Sequence, residues 1–286
     1  MRFSIIIPTY NRTKYLPLAL ASLLTQTVNI KDFEVIVVDD GSTESYSPII
    51  KAYAEGLNLR YLKLNHFGVS SARNTGIKLA QGEILVFFDD DAVADNGWME
   101  QVGNFFITGE KKIMVGRGLP LTNNWWRYFA PHYDRGDQVK EINTVWECNL
   151  AVAKDVFAKV GAFDARIEYG HEGNEFARRA LVDYKIWYNP QAIIYHDYAF
   201  GLSDYLTKQY KFGEKLAYLH KNEKITLWSV ILHGQKAYEK SIENGGGKQL
   251  ANLPMIKRLM IKIIARLGMI KHYFGLIVGQ IKYSGK

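Results

Sequence analysis

Up to about Phe88 the chain alternates two kinds of apolar pattern. Short β-rich runs, "FSIIIP", "FEVIVVDD", "LRYLKL" and "GEILVFFDDD", are separated by segments 14–25, 46–54 and 69–80, where apolar positions recur at helical spacing. Strands alternating with helices predict βαβ units around a largely parallel sheet that is covered on both faces. The fold class expected is therefore α/β, with a mostly parallel central sheet flanked by helices.

Each predicted strand ends in polar residues: "PTYN", "DDGS" and "DDD". Open α/β sheets bind ligands beyond the carboxyl ends of their strands, so three strand ends converge on one candidate crevice. No G-x-G-x-x-G turn follows the first strand and no G-x-x-x-x-G-K-[ST] occurs. That disfavours a dinucleotide fold or a P-loop.

Further along, residues 98–107 read as a helix, and 123–137, rich in aromatics and charges without a period, as a functional loop. The block 147–198 reads as two helices and a strand ending at His196, after which the chain reads helical with a glycine-rich break at "NGGGK". In residues 254–286 a helix would place Arg258, Lys262 and Arg266 on one stripe and Ile256, Leu259, Ile263, Leu267 and Ile270 on another. Such a cationic amphipathic helix either lies on an anionic membrane surface or docks its apolar face on the catalytic domain.

Composition narrows the class. With 286 residues, 48% hydrophobic and 23% charged, the chain can bury one large core with an appendage. Its formal charge of +7 suits an anionic partner. The basic residues concentrate in the tail and no nucleic-acid-reading module is visible, so nucleic acid is not expected. One cysteine, Cys148, excludes an intrachain disulfide framework and a cysteine-cluster metal site, and reads as a small buried hydrophobe. Neither a secretion signal nor an apolar run long enough to span a bilayer is seen, so a cytoplasmic protein, or one peripheral on the cytoplasmic membrane face, is expected.

The candidate chemistry begins at "FFDDDAV". In extended chain Asp89 and Asp91 point to one side and Asp90 to the other. Two carboxylates facing one point suit Mg²⁺ or Mn²⁺, whose remaining ligands would be water and substrate phosphates. A second acidic pair, Asp39 and Asp40, closes "VIVVDDGS". A carboxylate there can accept from a nucleobase or ribose, although Asp-Gly after a strand is also an ordinary turn.

Together "SIIIPTYNR", "FEVIVVDDGSTE", "GVSSARNTGIKLAQGEILVFFDDDA" and "NPQAIIYH" resemble glycosyltransferase family 2 over about the first 200 residues. The resemblance implies a GT-A Rossmann-like domain that binds a nucleotide sugar through a divalent metal and transfers the sugar with inversion. It implies a catalytic domain at 1–200, with a nucleotide-binding half at about 1–91 and an acceptor half at about 92–200, followed by a helical extension at 201–286. Carried over by position, it puts Pro8 and Tyr10 against the nucleobase, Asp40 on its polar edge and Arg73 near base or phosphates. Asp89 would approach ribose or metal, Asp91 and His196 would bind the metal, and Asp90 would be a neighbour.

Many family members carry the general base in a Glu-Asp pair at a helix start. Here "YGHEGNEFARR" has Glu172 in the first position and Gly173 where the aspartate is usual. Glu172 is the first candidate base and Glu175 the second, one helical turn along. Trp125 and Trp126 offer flat surfaces for an acceptor sugar. The expected function is metal-dependent, inverting transfer from a nucleotide sugar, with a UDP-sugar favoured, to a glycan or lipid-linked acceptor in surface polysaccharide or glycoconjugate synthesis. The alternatives are a catalytically silent member, motivated by Gly173, and a sugar nucleotidyltransferase, disfavoured because "PTYNRTKY" contains no glycine.

Overall fold

The computed structural model describes residues 2–122, 125–219 and 253–283, apart from the side chains of Trp125, Arg127 and Pro131. The chain divides into two compact units, one formed by 2–121, 137–168 and 172–196, the other by the described residues of 122–136, 169–171 and 197–286.

In the first unit the strands β1 (Phe3–Thr9), β2 (Phe33–Asp39), β3 (Leu59–Lys63) and β4 (Ile84–Phe88) pair in parallel in the order β3-β2-β1-β4. The helices between them are α1 (Leu16–Leu24), α2 (Ser47–Tyr53) and α3 (Val69–Leu79). β1, β2 and β4 are buried along their whole length, as continuous apolar strands between two helical layers must be, whereas β3, at the edge, is part-exposed. Proline in the first turn of both α1 and α2 presets the backbone where no intrahelical donor is lost.

Beyond β4 the sheet turns mixed. Its further strands are β5 (Val93–Ala94), β6 (Ile113–Leu119), β7 (Lys140–Ile142), β8 (Asn149–Ala153) and β9 (Ile186–Tyr195), and the order runs on as β4-β8-β6-β9-β5, with β7 also on β9. β8 is antiparallel to both β4 and β6, while β6 and β9 are parallel. Two reversals restore direction, so β9 ends at the same edge of the sheet as β4, and β8 begins there. The short strands β5 to β8 carry no readable period. In "NLAVAKDVF" the strand β8 runs directly into helix α5 (Lys154–Val160), which a sequence reading merges into one helical block. Helices α4 (Trp98–Phe105) and α6 (Glu172–Ala180) complete this unit.

The second unit contains short 3₁₀ turns at Trp125–Phe129 and Pro131–Tyr133 and two long helices, α7 (Leu202–Leu219) and α8 (Met255–Tyr283). The "NGGGK" break lies outside the described residues. α8 lies along α7 through Ile261, Ala265, Gly268, Gly275, Leu276 and Gly279. The approach is close enough that a Cβ on Gly213 of α7 would come within 1.8 Å of the His272 carbonyl. The apolar stripe of the tail is therefore a different face. Ile256, Leu259, Ile263, Leu267 and Ile270 stay 41–69% exposed. No helix among the described residues is long and apolar enough to cross a membrane.

Candidate active site

The carboxyl ends of β1, β2, β4 and β9 deliver Tyr10, Asp40, Asp89 to Asp91, and His196 to one edge of the sheet. Asp89, Asp91 and His196 each direct one ligand atom so that the three atoms lie within 4.8 Å of one another. Two carboxylate oxygens and an imidazole nitrogen form a donor set that fits a divalent cation such as Mn²⁺ or Mg²⁺. His196 Nε2 stands 3.1 Å from Asp91 Oδ1, both side chains being buried.

Asp90 points elsewhere, into a polar knot under the β1 turn. The Thr9 hydroxyl donates to Asp90 Oδ2 at 2.6 Å and shares a 2.7 Å hydrogen bond with the Tyr46 hydroxyl, which accepts from the Arg12 backbone N–H at 2.9 Å. Arg12 Nη1 donates to Asp90 Oδ1 at 3.0 Å and to Asp91 Oδ2 at 2.7 Å. Burial, reinforced by the charge of Asp91 and opposed by Arg12, pushes the Asp90 carboxyl up to about 7.

Arg73, buried on α3, supplies the second cation. Its Nη2 donates to Asp89 Oδ1 at 3.1 Å and its Nη1 to Glu172 Oε1 at 2.7 Å. Burial works against this guanidinium, but Asp89, Glu147 and Glu172 outweigh it and raise its pKa, so it stays charged. Arg12 and Arg73 are the positive partners of the aspartate run, and sequence reasoning overlooked Arg12 in that role although it sits in "PTYNR".

The remaining expected residues divide. Tyr10 is exposed and stacks on His66 with ring centroids 4.2 Å apart, and Pro8 is buried within β1. Both Asp40 oxygens accept backbone N–H groups, from Phe67 at 2.8 Å and Gly68 at 2.9 Å. Glu175 has its oxygens held at 2.7 Å by Arg179 Nε and Nη2. Trp126 belongs to the second unit, where its ring stacks on Tyr205 at 5.6 Å and meets Phe129. The Trp125 side chain lies outside the described residues. Cys148 is buried and its thiol pushed well up by that burial, which leaves it protonated.

One acid was missed altogether. Asn149 pairs with Phe88 across β8 and β4, so the residues before β8 cross the edge where Asp89 emerges. Glu147 is there, half-buried, and electrostatically coupled to Glu172, Arg73 and Asp89.

The model of the glycosyl transferase family 2 matches residues 4–151, more than half of the chain. The protein belongs to that family. The minor teichoic acid biosynthesis protein GgaB of Bacillus subtilis strain 168 is 41% identical over 115 residues, 40% of this chain and 13% of that protein. Poly(ribitol-phosphate) β-N-acetylglucosaminyltransferase TarS of Staphylococcus aureus strain Mu50 is 35% identical over 129 residues, 42% of this chain and 22% of TarS. The chain thus spans less than a quarter of the length of either relative.

Among solved structures, S. aureus TarS 1-349 in complex with UDP-GlcNAc matches 99% of this chain and 91% of its own, at a TM-score of 0.58 and 19% identity. The mannosyltransferase PcManGT of Pyrobaculum calidifontis, in complex with GDP-Man and Mn²⁺, matches 99% and 84% at a TM-score of 0.63 and 18% identity. The shared fold is GT-A, in which the family 2 chain keeps its acidic and basic side chains at one edge of the sheet.

Proposed function

We propose that this protein is a metal-dependent, inverting glycosyltransferase that moves a sugar from a nucleotide-sugar donor, preferentially a UDP-sugar, to a glycan or lipid-linked acceptor of surface polysaccharide or glycoconjugate synthesis. The observation that carries the reading is the convergence of Asp89, Asp91 and His196 beside two arginines, in a chain of this family. Support for the donor comes from the neighbours of the same fold, TarS in complex with UDP-GlcNAc and PcManGT in complex with GDP-Man and Mn²⁺. Support for the acceptor class comes from GgaB and TarS, whose names concern teichoic acid and poly(ribitol-phosphate).

In this reading Asp89, Asp91 and His196 hold Mn²⁺ or Mg²⁺, which when bound supplies Lewis-acid neutralisation of a departing nucleoside diphosphate. Arg12 and Arg73 fix the orientation of the aspartates and add fixed positive charge at the same place. Tyr10 and Pro8 are assigned to the nucleobase, Asp40 to its polar edge or the loop beneath it, and Trp125 and Trp126 to the acceptor. The acceptor hydroxyl gives its proton to a carboxylate of the cluster around Arg73, at the head of α6. Glu172 belongs to that cluster. Glu175 is assigned a structural role, because Arg179 occupies both its oxygens. We assign residues 1–200 to the catalytic domain, with a nucleotide-binding half at about 1–91, and 201–286 to a helical extension.

The exposed stripe of α8 is assigned to an anionic membrane surface on the cytoplasmic face. Helical spacing puts Lys262 and Arg266 on one flank of the stripe and Lys271 on the other, all exposed, which is the arrangement of an interfacial helix.

Calorimetric titration of UDP, GDP and dTDP with and without Mn²⁺, together with a panel of nucleotide sugars assayed for Mn²⁺-dependent hydrolysis, tests the reading. We expect UDP to bind only with the metal and at least one UDP-sugar to be hydrolysed. No binding of any nucleotide, or unimpaired turnover by Asp91→Ala, would overturn it. A catalytically silent protein would bind nucleotide and hydrolyse nothing.

A further inference from the structure

The absence of a side chain at position 173, where an acid was expected, is matched by an extra acid nearby. A Cβ placed on Gly173 would stand 2.2 Å from Glu147 Oε1, 2.7 Å from Glu147 Cδ and 2.8 Å from Val145 Cγ2, so a side chain at 173 would push the end of Glu147 aside. The volume that a residue 173 side chain would enter is already filled by the Glu147 carboxylate. Glycine at 173 and glutamate at 147 are therefore two halves of one arrangement. The chain reaches the same place from the start of β8 instead of from the first turn of α6.

We propose that Glu147 is a catalytic residue of this glycosyltransferase, the carboxylate that receives the acceptor proton in place of an acid at position 173. The proposal rests on the transferase reading above and names the base of that same site.

Geometry separates the two glutamates of the cluster. Glu172 is 5% exposed and its Oε1 accepts from Arg73 at 2.7 Å, so it holds the guanidinium. Glu147 keeps part of its residue surface exposed and lies against Gly173, at the place where an acid at that position would stand. In transfer the acceptor O–H bond breaks, its proton passes to a Glu147 oxygen, and its electron pair forms the new bond to the anomeric carbon. The bond from that carbon to the diphosphate oxygen breaks with its pair leaving on the diphosphate, and the resulting carboxylic acid returns its proton to solvent. Atoms and charges balance without a further reagent.

The charges facing Glu147 support the role. Burial raises its pKa first, the charge of Glu172 raises it further, Arg73 opposes both and Asp89 adds a smaller upward push, and the carboxyl arrives at about 8. A base works best when its pKa lies near the working pH.

The test is a reciprocal exchange, assayed as Mn²⁺-dependent hydrolysis of UDP-GlcNAc or GDP-mannose, whichever the unaltered protein turns over. Glu147→Gln, which keeps the shape, should lower kcat by about 10²–10⁴-fold and abolish the acidic limb of the pH profile, with Mn²⁺-dependent nucleotide affinity retained and thermal melting not lowered. Gly173→Asp alone should be damaged by the collision with Glu147. The pair Glu147→Gly with Gly173→Asp should regain at least about tenfold over Glu147→Gly alone, since the acid is restored from the first turn of α6. Turnover of Glu147→Gln within about threefold of the unaltered protein, or no recovery in the pair, would overturn the proposal while leaving the transferase reading intact. An unaltered protein that binds neither UDP nor GDP with Mn²⁺ would remove that reading and the proposal with it.

Discussion

Arg73 on α3 donates to Glu172 Oε1 at the start of α6 across 2.7 Å, a buried ion pair joining two helices that the sequence places far apart. Removing one partner of such a pair strands the other charge away from water. Arg73→Met should therefore lower the unfolding free energy by about 3–5 kcal/mol in urea titration, and Glu172→Gln by less, because the amide still accepts a hydrogen bond. If Arg73→Met unfolds within about 1 kcal/mol of the unaltered protein, the guanidinium is not buried as described.

The three adjacent aspartates should respond differently to the same change. Asp91→Asn should weaken Mn²⁺-dependent UDP binding by at least about 10-fold in calorimetry, as loss of one of few ligands does. Asp90→Asn keeps the three metal-facing atoms and disturbs the Thr9 and Arg12 contacts, so its larger effect should be on thermal stability. Equal losses of metal dependence in both variants would contradict this division.

Glu175 provides a control for the base assignment. Its exchange to Gln breaks the two-pronged contact with Arg179 and should cost about 1–3 kcal/mol of stability while leaving kcat near normal below the melting range. A kcat loss of 100-fold without a stability change would restore Glu175 as a candidate base.

Stability should also depend on pH through Glu147. Its folded pKa, about 8, lies above the ordinary 4.5, so the folded protein holds this proton more tightly than the unfolded chain does. The contribution is full below the ordinary value and is lost as pH rises through about 8. Melting in chelator between pH 5 and 8.5 should show the unaltered protein losing stability relative to Glu147→Gln. A difference that is flat, or grows in the other direction, would show that the carboxylate is ionised throughout.

The tail can be tested without touching the site. Replacing Leu259, Ile263 and Ile270 by Ser should abolish flotation with vesicles containing anionic lipid, and Lys262→Glu with Arg266→Glu should weaken it in a salt-sensitive way, with nucleotide hydrolysis retained. Gly275→Leu should instead destabilise the α7 and α8 pair, because its Cβ would lie 2.0 Å from the Tyr210 carbonyl. Undiminished flotation of the Ser variant would remove the stripe as the anchor.

The parts of this protein that repeat on the scale of a strand or a helix were legible in its sequence. The apolar runs of β1 to β4 and the helical spacing of α1 to α4 mark those elements, because burial on two faces or on one stripe leaves a local pattern. The sequence also grouped Asp89 with Asp91, which the structure places beside His196, but the chain there is a turn closed by Ala92 N–H on the Asp89 carbonyl and not the extended strand whose alternation was expected. In β6 Gly116, Arg117 and Gly118 interrupt the apolar run, and β8 merges with the helix that follows, so their pairing is invisible locally.

What the tertiary structure decided is which distant residues share a place. The two reversals between β4 and β9 bring His196 to the end of β4, and the antiparallel β8 brings Glu147 beside the site. In the sequence Gly173 is a missing acid and Glu147 an unremarked one. The collision between a Cβ at 173 and the Glu147 carboxylate joins them. Sequence reports local periodicity and chemistry, whereas the neighbour that fills a volume is set by strand order and direction, which no local pattern encodes.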